Sequence, residues 1–233
     1  MNQDHSRLEL WIHDIQSYLD KVIGGTMEQA GFSFDKLNYS YKRKLGRNLQ
    51  TFGFLFINQY PTNHRISFVM QIRNSDVRDL KSSFFKHQLH KDPQQPKDSQ
   101  LTSLNLFLGD FMQNGLSQSS INDYSIINNN DLFEAVEHIL DILAEKAIPL
   151  CDNLTNVAEL DEFYESYPGC SVNSINPDNM MSDLAICKMV GRRNINHLFA
   201  NMIESVDEKI RNEQMVDMSA RTINEFFDFL QGR

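Results

Sequence analysis

Thr51-Phe52-Gly53-Phe54-Leu55-Phe56-Ile57, followed after a turn by Ile66-Ser67-Phe68-Val69-Met70-Gln71-Ile72, is the stretch on which the fold depends. Successive side chains of a strand point to opposite faces. Phe52, Phe54 and Phe56 therefore share one face, while Leu55 and Ile57 make the other apolar too, as expected of a central strand. In the second run Ile66, Phe68, Met70 and Ile72 lie opposite Ser67, Gln71 and Arg73. Tyr60-Pro61-Thr62-Asn63 between the runs is a turn. Upstream, Tyr39, Tyr41 and Leu45 alternate with Ser40, Lys42 and Lys44, and Arg43 falls on the tyrosine side, where it must snorkel or pair. Three strands with short connections make an antiparallel meander.

Outward from this sheet the period changes. Leu8, Trp11, Ile12, Ile15, Leu19, Val22 and Ile23 recur every three or four residues and predict an N-terminal helix, capped by Asp4 or Ser6 and ended or weakened by Gly24-Gly25. After the meander, Asp76–His87 reads as a short helix capped by Ser75, and Gln88–Gln100 as a long polar loop. Leu104, Leu106 and Leu108 mark a further strand, and Tyr124–Ile127 a short one beyond the polar Gln113–Asp123 stretch. From Asn130 onward the pattern is helical. Phe133, Val136, Ile139, Leu140, Leu143 and Ala147 form a stripe that stops near Pro149, and Asn156 with Glu159 is a capping box. Further helices are centred on Leu184–Met189, Leu198–Ile210 and Ile223–Leu230. Strands followed by helices specify an α+β fold. The expected architecture is an antiparallel four- or five-stranded meander packed by the N-terminal helix within residues 1–150, then a helical subdomain over 151–233.

Composition fits this. The chain has 233 residues, 41% hydrophobic and 23% charged, which is a globular balance. No apolar run reaches the ~18 residues of a membrane helix, so no membrane association is expected. The first residues, Met1–Arg7, lack the basic start and apolar core of a secretory signal. Cys151, Cys170 and Cys187 are too few and too scattered for a disulfide framework, so a cytoplasmic protein is expected. Charge is uneven. Residues 1–100 carry 14 Lys and Arg against 10 Asp and Glu, a net of +4, whereas residues 101–233 carry 8 against 21, a net of −13.

Several constellations combine residue types that could carry chemistry. Tyr39-x-Tyr41-Lys42-Arg43-Lys44-x-x-Arg47 combines aromatic and cationic side chains, but strand alternation separates Lys42 and Lys44 from the tyrosines, so nucleic acid is not the expected partner. His87-x-x-His90 with Asp92 has loose metal-ligand spacing without rigid support. Glu134, His138, Asp141 and Glu145 recur on one helix face, opposite the apolar stripe, and no second helix supplies a matching Glu-x-x-His. Neither set predicts a bound metal. Cys170 in Tyr167-Pro168-Gly169-Cys170-Ser171 lies in a loop without a papain-like or caspase signature. Gly-x-Gly-x-x-Gly, the phosphate-binding Gly-x-x-x-x-Gly-Lys-Ser/Thr, His-Glu-x-x-His and Gly-x-Ser-x-Gly are all absent from the sequence. No cofactor is expected.

Met27-Glu28-Gln29-Ala30-Gly31-Phe32, Tyr41-Lys42-Arg43, Phe52-Gly53-Phe54-Leu55-Phe56 and the Ile126–Leu150 segment resemble the uncharacterised bacterial proteins called the domain-of-unknown-function 4304 family. The resemblance covers about residues 1–155. It implies an α+β domain with an N-terminal helix and supplies neither an activity nor site residues. The Gln88–Gln100 segment departs from the family's pattern.

The functional expectation is a non-catalytic, cytoplasmic interaction protein whose acidic helical surface meets a basic protein partner. Glu134, Glu137, Asp141 and Glu145 are the candidate contact residues, being the densest acids on one helix face. The alternative is an enzyme of unfamiliar type, with Arg43, Tyr41 and His64 converging in a pocket at the sheet–helix junction.

Overall fold

A computed structural model describes residues 2–59, 63–88, 101–112, 124–127, 129–174, 176–212 and 217–232, with the backbone alone at 2–12, 57–59, 63 and 217–219. Strands β1 (Ser33–Asp35), β2 (Ser40–Leu45), β3 (Asn48–Gln59) and β4 (Asn63–Asn74) form the antiparallel meander. β3 is the middle strand, as read from its sequence, although Leu55 on its second face is 37% exposed. Two short strands, β5 (Leu104–Phe107) and β6 (Tyr124–Ile126), pair end to end along the outer edge of β4, at Val69–Ile72 and His64–Ile66. The expected strands are all present. The additional one, β1, has three residues, too short for any period to announce it.

Register explains the core. Tyr41 faces Phe52, Phe52 faces Met70, and Met70 faces Leu106, so one row of buried side chains crosses four strands. Helix α1 (Asn2–Gln29) lies across this face with Ile15, Leu19, Ile23 and Met27 buried. Truncating one such residue to alanine costs about 2–5 kcal/mol. The Tyr39 hydroxyl donates to the Gln16 carbonyl and the Tyr41 hydroxyl to the Asp20 carboxylate, tying α1 to β2. Gly24-Gly25 does not end the helix, which runs on to Gln29. Gly24 sits beneath Tyr41, where a Cβ would already touch Oη at 3.4 Å.

Helix α2 (Ser75–Gln88) follows β4 directly. Its cap is Asn74, not Ser75: Asn74 Oδ1 accepts the amides of Asp76 and Val77, while the Ser75 hydroxyl donates to Arg47 O. After β5 comes the single-turn helix α3 (Leu108–Met112), whose Phe111 packs on Phe68. Helix α4 (Asn129–Ile142) continues through a π-turn (Leu143–Ala147) into α5 (Ile148–Asn153), passing Pro149 where the sequence predicts a stop. Proline cannot donate a backbone hydrogen bond, and the wider turn, with Ile148 N–H on Leu143 O, absorbs the mismatch.

Helix α6 (Val157–Ser166) starts at the capping box read from Asn156 and Glu159. Helix α7 (Pro177–Val190) is buried at every residue from Asn179 to Cys187 and ends at Gly191, whose φ of 71° only glycine adopts without strain. Helices α8 (Ile195–Arg211) and α9 (Asp217–Gln231) pack on it, with Phe199 and Phe227 stacked at 3.8 Å. Asn179 closes the free edge of β5: it accepts Asn105 N–H (2.8 Å) and donates to Asn105 O (2.9 Å). The helices beyond residue 150 and the sheet share one contiguous hydrophobic cluster.

Candidate functional site

Helix α4 sorts its residues by face. Leu132, Ala135, Val136, Ile139 and Ile142 are buried, and Glu134, Glu137 and Asp141 are exposed on the opposite side, with Glu145 exposed in the π-turn. Four carboxylates thus line one surface over about 16 Å, eleven residues at 1.5 Å each. Among the described residues none of the four takes part in an ion pair. Lys146, the cation next in sequence, donates instead to Phe111 O (2.9 Å). Aromatic pairs flank the stripe. Phe133 packs on Tyr18 of α1 at 4.9 Å, and the Tyr124 hydroxyl is hydrogen-bonded to His138 Nδ1.

The Tyr39–Arg47 stretch does not form a stacking platform. Tyr41 is buried against α1, and burial together with the Asp20 hydrogen bond pushes its hydroxyl well above the usual range. On the other face Lys42 pairs with Asp35, whose carboxyl that ion pair and the Asn38 amide hold down to about 2. Arg47 pairs with Asp76. Arg43 does pair, as its place among the tyrosines requires. It lies over the Phe32 ring at 4.3 Å, donates to Gln50 Oε1 (2.9 Å) and Ala30 O (2.7 Å), and meets Asp152 at 2.6 Å.

His64 does not join Tyr41 and Arg43. It lies six residues from Met70, the β4 residue in Tyr41's row, which is about 20 Å along a strand. These three residues therefore do not form the shared pocket that the alternative, enzymatic reading requires.

Cys170 is not an exposed loop thiol. The Pro168–Cys170 turn folds it inward to 5% exposure, and burial, helped by the charge of Asp110, pushes its thiol up to about 12. A thiol so protonated is a poor nucleophile. Asp110 is itself buried. It accepts Phe107 N–H (2.7 Å), and desolvation raises its carboxyl to about 6. His87 ends α2 against Phe229, whereas His90 and Asp92 lie outside the described residues.

Three buried polar clusters were not legible from sequence. Lys81 of α2, fully buried, donates to Thr102 O (2.8 Å), Ser182 Oγ (2.9 Å) and the Asp178 carboxylate. Asp161 and Asp183, both fully buried, share Arg193, while Arg192 reaches Asp161, Glu162 and Glu165. Asn48 and Gln50 of β3 donate to the carbonyls of Leu154 (2.8 Å) and Cys151 (2.6 Å), which end α5. Each cluster joins elements distant in the chain, so no local spacing announces it. All three act as structural fasteners, since their donors and acceptors are spent on one another.

Among the described residues no group of His, Cys, Asp and Glu could hold a metal ion, and no helix is long and apolar enough to cross a membrane. Comparison with known protein families, with curated proteins and with solved structures finds no match for this chain.

Proposed function

We propose that the chain is a non-catalytic interaction protein that binds a basic protein partner through the outer face of α4. The observation that carries this reading is the array of Glu134, Glu137, Asp141 and Glu145, all exposed on one side of a well-packed helix. Like charges four residues apart, as at Glu137 and Asp141, cost a few tenths of a kcal/mol each, and a cationic surface laid across them reverses that cost. Such a field steers a basic partner and holds it in register. A toxin or regulatory protein with a cationic working surface has the matching chemistry. The groups that sequence offered for catalysis weigh against an enzyme, since Cys170, Tyr41 and Arg43 are committed to core packing and to fixed partners. A bacterial, cytoplasmic setting belongs to the proposal. It is supported by the resemblance noted above and by three buried cysteines that form no disulfide with one another.

Affinity capture from the native host at low and high salt tests the proposal, with wild type beside Glu134→Lys, Asp141→Lys. Both residues are exposed, so the double variant should keep its stability to within about 0.5 kcal/mol per site. A basic protein held by the wild type at low salt, released at high salt and lost by the variant is expected. Equal retention by both proteins refutes this surface, and no captured protein at either salt refutes the interaction reading.

A further inference from the structure

We draw no further inference here: the strongest candidate, the Lys81–Ser182 amine–hydroxyl pair at 2.9 Å between α2 and α7, has the spacing of a base and its nucleophile, but both side chains are fully buried and their protons are spent on Thr102 and Asp178, so it belongs to the core already described.

Discussion

Replacing Lys81 by methionine isolates the energetics of a fully buried charge. The ammonium has three protons and four acceptors around it: Thr102 O, Ser182 Oγ, the Asp178 carboxylate and, at 3.2 Å, Asp178 O. A neutral amine has only two, so the acceptor set favours the charged form. Burial draws the Lys81 pKa below its usual value in spite of Asp178, which pulls the other way. Methionine keeps most of the stem's volume and removes the charge. Stripping one partner from a buried ion pair costs about 3–5 kcal/mol, because the other charge is left uncompensated. Here Asp178 is 24% exposed and keeps the Thr102 hydroxyl and the Asn105 amide, so the cost falls to about 2–3 kcal/mol. For a chain of this length that lowers Tm by about 4–12 °C. Urea unfolding followed by circular dichroism measures it, with Asp178→Asn and the double variant completing the cycle. With Asp178 neutralised there is no orphaned charge, so Lys81→Met should cost about 1–2 kcal/mol less in that background. A single-variant loss under about 1 kcal/mol, or strict additivity, refutes the assignment of Lys81 as a charged fastener.

Gln50→Leu is expected to cost about 2–3 kcal/mol in the same assay, since it strands Arg43 Nε and leaves Cys151 O with the Leu154 amide alone; a loss under about 1 kcal/mol means that water satisfies the guanidinium. Asp110 should make stability fall as pH rises from about 4 to about 6, because in that window the unfolded carboxyl ionises while the buried one keeps its proton. The effect is at most about 3 kcal/mol, and Asp110→Asn should remove this component from the wild-type stability profile; parallel profiles for the two proteins contradict it. Burial pushes the thiols of Cys151 and Cys170 up to about 12 and that of Cys187 to about 11, so none should react with a thiol-specific disulfide reagent at pH 8 until the protein is unfolded. Rapid reaction of one equivalent in the native state shows that a thiol is accessible.

The acid stripe was legible because helix periodicity fixes which residues share a face. With Val136, Ile139 and Leu143 inward, Glu134, Glu137 and Asp141 had to point outward, although Phe133, read as part of the same apolar stripe, is exposed and Leu132 is buried in its stead. The meander was legible for the same kind of reason. Phe52, Phe54 and Phe56 alternate along β3, and short connections leave antiparallel pairing as the simple outcome. Helix ends were harder to read. Gly24 and Pro149 are local breakers, yet α1 runs past the first and a π-turn carries the chain past the second, because packing on the sheet outweighs a propensity cost of about 1 kcal/mol for glycine or 3 for proline.

The sequence by itself determined the periodic facts of the longer elements: which are strands, which are helices, and broadly which face of each is apolar; the short β1 and α3 escaped it. These depend on neighbours within four residues. Tertiary structure alone decided what each polar side chain meets. Lys81 reaches Asp178 across 97 positions, and Gln50 reaches Cys151 across 101. A lone lysine in a helix looks like a solvated charge until a second helix closes over it. The same holds for Cys170, which a loop assignment leaves exposed and the folded Pro168–Cys170 turn buries. Periodicity reports the chain's own geometry. Burial of a charge depends on the sum of desolvation and pairing from elements that only the folded chain brings together.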